Sequence, residues 1–457
     1  MLDALETAFV AFGNWAWGTH LLVLLVGGGL FFALYSGFRP YRHIRHSVSI
    51  LTGRYDDPDA PGDLNHFQAL SSALAATVGM GNISGVAIAI AMGGPGALFW
   101  MWVSAFVGMA TKFYTCTLAV MYRGPDSLGH IQGGPMYVIR EALGKRWMPM
   151  AYFFALCGLI GCTPMFQANQ LTQIIRDQIL VPNGLATAGA SFTTDALTGL
   201  VLVGVVSLVI FGGIRRIGTV AAKLVPLMVV LYSGAVVAIL MSNWTAIPSH
   251  LWLIVSDAFT GQAVAGGAVG EVIRTGIRRA AFSNEAGIGT EALAHGAART
   301  REPVREGLVA MLEPVIDTLI VCTMTGLAII ITGAYLTPGL DGVSLTVHAF
   351  SLGLPGSIGT WVLMLCVLIF SITTMFTYSY YGTKCLGFLI GAERQHLYNY
   401  FYVFSIWFGA VASINAVISL VDGAFAMMAI PTMTSAILLS PKVREAMTDY
   451  FARLKSA

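Results

Sequence analysis

Charge is what this sequence has least of. Only 11% of its 457 residues are Asp, Glu, Lys or Arg, where a soluble domain carries about 25%. The 25 basic and 23 acidic side chains are too few to coat a water-soluble protein of this length, which argues against a cytosolic enzyme. The near balance of signs, net +2, lacks the basic excess of a nucleic-acid binder. Six cysteines, Cys116, Cys157, Cys162, Cys322, Cys366 and Cys385, form no CxxC pair and sit in apolar stretches. They read as small buried packing residues and not as a disulfide framework or a metal site. No H-E-x-x-H, G-x-S-x-G or Walker motif occurs, so neither hydrolase chemistry nor a self-contained ATP-driven pump has its machinery here. The start, MLDALETAFV, is acidic and has no basic n-region, so no cleavable signal peptide is expected.

What is present is apolar. Hydrophobic residues make up 56% of the chain, glycine occurs 51 times, and the mean hydropathy is +0.74. A spanning helix needs about 20 apolar residues. Eleven segments qualify: 16–38, 66–93, 96–121, 148–175, 196–213, 217–241, 248–270, 307–333, 356–383, 397–420 and 423–440. The fold class is therefore an all-α polytopic membrane protein in one transporter-sized domain, 1–457. The basic residues fall on alternate connections: 22 of the 25 Lys and Arg lie in those that follow spans one, three, five, seven, nine and eleven. That asymmetry places the N-terminus outside and the C-terminus in the cytoplasm. Residues 441–457 end the chain as an amphipathic tail, with Val443, Met447, Tyr450, Phe451 and Leu454 on one helical face opposite Arg444, Glu445 and Lys455.

Two spans are interrupted. Gly79-Met80-Gly81-Asn82-Ile83-Ser84-Gly85 breaks the second, and Gly261, Gly266, Gly267 and Gly270 break the seventh around Gln262 and Ala263. One such run alone reads as close helix packing. With 16–38 set aside as a peripheral helix, however, spans 66–241 and 248–440 form two sets of five, and the broken helices open each set. Paired breaks at matching positions of two halves point to a transport site, and a five-helix repeat must insert inverted relative to its partner. Unwound backbone cannot be satisfied by lipid. Its N–H groups and positive helix end suit a carboxylate, and its carbonyls suit a monovalent cation, so an amino-acid zwitterion with Na+ matches both ends.

These residues carry a resemblance. FQALSSALAATVGMGNISGVAIAIAMGGPGALFWMW from Phe67 to Trp102, Gln167-Ala168-Asn169, Phe282-Ser283-Asn284-Glu285-Ala286-Gly287, and Glu313-Pro314 with Asp317-Thr318 resemble the alanine or glycine:cation symporter family. The resemblance implies an eleven-helix, LeuT-like fold with inverted five-helix repeats. It implies uptake of alanine, glycine or a similar small amino acid coupled to Na+ or H+, with no cofactor and Na+ as the co-transported ion. Val78-Gly79-Met80-Gly81-Asn82 is similar to the broken first core helix of bacterial sodium-coupled amino-acid transporters. By that similarity Ala75, Val78, Phe370, Thr373 and Thr374 hold Na+. Thr77, Gly79, Met80, Gly81, Gln167, Asn169, Phe259, Gly266, Gly267 and Thr374 face the substrate. The alternative for Thr373 and Thr374 is hydroxyls bonded back to their own helix. For Gln167 and Asn169 it is an interhelical hydrogen bond.

Asn82, Lys112, Arg278, Asn284, Glu285, Glu313 and Asp317 are coupling or gating candidates, because ionisable groups inside a membrane are functional by default. A purely structural ion pair is the equal alternative. Lys112 lies about 10 residues from its helix end, roughly 15 Å deep, and Glu313 and Asp317 share a face at i, i+4. Two positions depart from the family pattern. Thr115 stands where members carry an acid three residues after the lysine, and Thr290-Glu291 where they show a small residue and proline. The missing acid makes Glu313 or Asp317 the counter-charge of Lys112. The stretch 276–298 reads as a cytoplasmic segment suited to an inner gate, and His20, His66, His295 and His348 read as isolated structural residues. The partners implied are a small amino acid, Na+ and the lipid bilayer of a bacterial inner membrane. No nucleic acid is implied, and a monomer is compatible with the sequence. An ion channel is the competing class, but no repeated pore loop or charged ring is present.

Overall fold

Helices account for nearly all of the regular structure, and the only sheet among the described residues is a two-residue pairing of Gly124–Pro125 with Ile131–Gln132. The computed structural model describes residues 2–187, 191–260, 269–412 and 414–456. Among these, 8 helices are long and apolar enough to cross a membrane, and the bent pair His66–Thr77 and Gly81–Gly93 is long and apolar enough when taken as one span. Long apolar side chains such as Leu208, Val230 and Trp252 point outward at 69–71% exposure, as a lipid-facing surface requires. This is a multi-pass membrane protein.

Two of the eleven expected segments are not among these helices. Of the seventh, Ile247–Thr260 and Val269–Asn284 are described, and Gly261, Gln262, Ala263, Gly266 and Gly267 lie outside the described residues. The tenth, Leu397–Val411, has 15 residues.

The Ala97–Met121 helix is the axis of the bundle. Val269–Asn284, Pro303–Ala310, Thr19–Tyr35 and Thr290–His295 all pack on it. Its start follows the turn Gly94-Pro95-Gly96, where the Gly96 N–H donates to Asp257 Oδ2 at 2.7 Å. That contact explains Asp257: a buried carboxylate caps one of the orphan amides of a helix N-terminus. The Ile358–Ile390 helix, 33 residues long, runs between Met148–Gly161, Gly213–Ser242 and His66–Thr77. In the first helix pair, Leu2–Ala16 covers Ile414–Met427, and Thr19–Tyr35 packs on Ala429–Leu438 as well as on Ala97–Met121.

The stretch 276–298, expected from the sequence as an inner-gate segment, lies largely buried within the bundle. The Val269–Asn284 helix continues to Asn284, and Ser283, Asn284, Glu285, Glu291 and His295 are all at most 1% exposed. The small residues of this stretch are what allow it to enter the bundle: a Cβ on Gly276 would collide with the Ala97 carbonyl oxygen.

Candidate functional site

The break in the second span is built by one side chain. The His66–Thr77 helix begins with a reciprocal capping box between Asn65 and Gln68, and ends when Val78 turns extended at ψ 90°. The Gly79 N–H, which would bond to the Ala75 carbonyl in a continuing helix, donates instead to Asn82 Oδ1 at 2.8 Å. The Asn82 N–H, which would reach the Val78 carbonyl, donates to the Gly79 carbonyl at 3.2 Å. Ala75 and Val78 thus both lose their helical partners. On the other side of the turn, the Met80 and Gly81 amides donate to no acceptor among the described residues. One buried turn therefore presents spare carbonyls on one half-helix and spare N–H groups on the next.

The turn is pressed against two other helices. A Cβ on Gly79 would lie 2.6 Å from Thr374 Oγ1, and one on Gly81 would lie 3.1 Å from Ser283 Cα, so only glycine fits at the first. Thr373 and Thr374 both donate to the Phe370 carbonyl, each at 3.0 Å. This back-bonding uses the hydroxyl hydrogens and leaves their oxygen lone pairs available as acceptors. Thr77 Oγ1 likewise bonds back, to the Ala73 carbonyl at 3.1 Å.

Asn82 extends the site to Asp317. Its Nδ2 donates to Asp317 Oδ1 at 2.6 Å and to the Asp317 carbonyl at 3.0 Å. Ser283 and Thr318 also donate to that carboxylate, at 3.0 and 2.6 Å, and Asn284 Nδ2 reaches Thr318 Oγ1 at 3.1 Å. Gly81–Gly85 and Val315–Cys322 are both widened π-type turns, a distortion that frequently marks functional positions. Here the two distortions meet face to face.

Gln167 and Asn169 part company. Asn169 Nδ2 donates to the Gly409 and Ala412 carbonyls at 3.1 Å each, an interhelical tie. Gln167 is 5% exposed, and its Oε1 has no hydrogen-bond partner among the described residues. A buried acceptor without a donor is costly, and marks Gln167 as open to a ligand. Phe259 is 57% exposed and packs its ring on Phe99 and Trp100. Gly266 and Gly267 lie outside the described residues.

Lys112 is fully buried, and its Nζ lies 2.5 Å from Glu313 Oε2. Beyond Glu313 runs a chain that sequence reading missed. His295 sits between two acids, with Nε2 3.9 Å from Glu313 Oε2 and Nδ1 2.5 Å from Glu306 Oε1, and Glu306 Oε2 bonds His66 Nδ1. The expectation that His66 and His295 are isolated is wrong. Each has an acid at bonding distance, brought there by the helices Pro303–Ala310 and His66–Thr77. No spacing in the sequence signals a contact between residues 240 positions apart.

The two departures from the family pattern also meet. Thr115 Oγ1 donates to Glu291 Oε1 at 2.9 Å, and Glu291 further accepts the Gly287 and Gly289 amides. A carboxylate beside Thr115 is thus supplied from position 291. Glu285, in the left-handed region at φ 57°, accepts Tyr378 OH and Thr290 Oγ1 at 2.5 Å each. Arg278 stands apart from these groups: it pairs with Asp422 at 3.2 Å and lies over the Trp17 ring. Arg123 gathers the carbonyls of Pro61, Gly296, Ala298 and Thr300, and burial holds its guanidinium below its ordinary pKa.

A buried, broken helix with free backbone groups in a multi-pass bundle is the arrangement in which membrane transporters hold their cargo. The fold matches that of a solved structure, MhsT in complex with L-phenylalanine, with a TM-score of 0.56, over 84% of this chain and 98% of that one, at 14% identity. The chain belongs to the sodium:alanine symporter family, whose model matches residues 2–457. It is 38% identical to a sodium/alanine symporter of Methanococcus maripaludis, covering 93% of each chain. It is 36% identical to a probable sodium/glutamine symporter of Bacillus subtilis, covering 96% of this chain and 89% of that one.

Proposed function

We propose that this protein is a Na+-coupled symporter that imports a small neutral amino acid, alanine or glycine, across a bacterial inner membrane by alternating access. The observation that carries this reading is the turn at Val78–Gly79, where the Ala75 and Val78 carbonyls lack helical partners beside the Thr374 hydroxyl. Na+ takes those two carbonyls, the Phe370 carbonyl and the Thr373 and Thr374 oxygens, an all-oxygen set suited to a hard cation. The Met80 and Gly81 amides take the substrate carboxylate at the positive end of the second half-helix. Gln167 offers its unpaired Oε1 to the substrate ammonium. Eleven spanning helices in two inverted sets of five, with the N-terminus outside and the C-terminus in the cytoplasm, provide the frame.

The reading assigns transport in which Na+ and substrate occupy the same conformation, so each raises the affinity of the other by a coupling energy of about 1–3 kcal/mol. The arrangement of Asn82 favours this: one side chain both opens the turn and ties it to Asp317. The test is alanine binding to the purified protein in NaCl and in KCl at one pH, with glycine, D-alanine and glutamine as competitors. Tight binding of alanine or glycine only in NaCl is expected. Equal binding in both salts overturns Na+ coupling, and displacement by glutamine alone overturns the small-substrate assignment.

A further inference from the structure

The end of the first span carries a second kind of site. Arg39, Arg42 and Arg45 fall within seven residues that contain no acid. The chain turns there through Phe38, in the left-handed region at φ 56°, and runs under the C-terminal helix Ser440–Ser456. The two are fastened together: the His43 ring stacks on Phe451 at 4.0 Å, and His46 Nε2 meets Tyr450 OH at 2.6 Å. Between them is a cavity of about 590 Å³ lined by Arg39, Arg42, His43, Thr448, Phe451 and Lys455, within the range of about 300–1,000 Å³ that small-molecule sites occupy.

The charge in this cavity is one-sided. The Arg42 and Lys455 side chains make no hydrogen bond or ion pair among the described residues, and Arg39 spends one side-chain N–H on Thr448 Oγ1 at 3.1 Å. The acids nearby on the C-terminal helix are taken: Glu445 pairs with Lys442 at 3.5 Å and Asp449 with Arg453 at 3.0 Å. Three cations converging without a counter-ion repel one another unless an anion enters, and arginine forks fit phosphate oxygens in a bidentate way. The helix leading into Arg39 shows which source of phosphate fits. Leu30, Phe31 and Leu34, in its last turns, are exposed apolar side chains, a surface for acyl chains on the helix that leads to the charged cavity. A basic pocket at the membrane end of a helix bundle is a setting in which anionic lipid headgroups bind.

We propose that this cavity holds the phosphate of an anionic phospholipid, clamped between the Arg39–Arg42 turn and the C-terminal helix. Arg42 and Lys455 grip the phosphate oxygens, Arg39 and Thr448 close the other side, and Phe451 packs on the glycerol. Binding fastens the C-terminal helix to the end of the first span, separately from substrate binding at the Gly79 turn.

The test uses the full-length protein in detergent, titrated with phosphatidylglycerol, phosphatidylcholine or inorganic phosphate, and read by native mass spectrometry and thermal melting. Phosphatidylglycerol is expected to bind and raise the melting temperature more than phosphatidylcholine does. The double variant Arg42→Gln with Lys455→Gln should bind phosphatidylglycerol about 10- to 30-fold more weakly, the loss of two charges at about 1 kcal/mol each. Both positions are exposed, so the variant should melt like the parent in phosphatidylcholine. Equal binding of the two lipids, or unchanged phosphatidylglycerol affinity in the double variant, overturns the site. Inorganic phosphate reproducing the full stabilisation overturns its assignment to a lipid.

Discussion

Replacing Glu313 with Gln would strand a charge. Lys112 and Glu313 are both fully buried, 2.5 Å apart at Nζ and Oε2. The other carboxylates that act on Lys112 are Glu291 and Glu285, and both are already engaged by hydroxyl or amide donors. Removing one member of a buried pair costs about 3–5 kcal/mol, because the remaining charge has lost both water and partner. At about 2–4 °C per kcal/mol, the Glu313→Gln variant should melt on the order of 6–20 °C lower. Lys112→Met with Glu313→Leu removes both charges and keeps the volume, so its melting temperature should return to near that of the parent. The assay is thermal melting of the purified protein in detergent, with the four members of the cycle at one pH and salt. A Glu313→Gln variant that melts with the parent refutes the reasoning, as does a double variant no better than the single. If the double variant folds but does not transport, the pair acts in coupling; if it transports, the pair is structural.

Thr374→Val keeps the volume and removes one proposed Na+ ligand. Its Na+ half-saturation should rise about 10- to 150-fold, the equivalent of roughly 1.5–3 kcal/mol, and an unchanged value in a transport titration counts against the ligand set. Gln167→Leu removes a buried acceptor that has no partner. Substrate affinity should fall about tenfold while the melting temperature holds or rises, and wild-type affinity in a folded variant sinks the assignment. Thr115→Asp places a carboxylate against Glu291 and should lower the melting temperature, whereas Thr115→Asp with Glu291→Ala should recover part of the loss. The cycle should show a coupling of about 1–3 kcal/mol, and additive effects would mean that the 2.9 Å contact is energetically idle.

Local chemistry was legible in the sequence. Apolar runs marked the spanning helices, and the run Gly79 to Gly85 marked a break because few other residues tolerate such close backbone approach. The place of Glu313 and Asp317 inside an apolar run identified buried acids. Pairings across the chain were not legible. His66, His295 and Glu306 form a chain only because three helices converge, and each residue taken alone looks unremarkable. The burial of the stretch Gly276 to Ala298 was not legible, because a helix that packs closely against Ala97–Met121 uses the same small residues as a loop. The split between Gln167 and Asn169 depended on which neighbour offers a carbonyl: Gly409 and Ala412 do so for Asn169, and nothing among the described residues offers Gln167 Oε1 a donor.

The measurement closest to the central claim is alanine uptake into proteoliposomes containing only this protein, with an inward Na+ gradient and equal pH on both sides. The account predicts transient accumulation of alanine above its external concentration, abolished when choline replaces Na+. Accumulation that persists in choline, or influx that never exceeds equilibration with Na+ present, would contradict it.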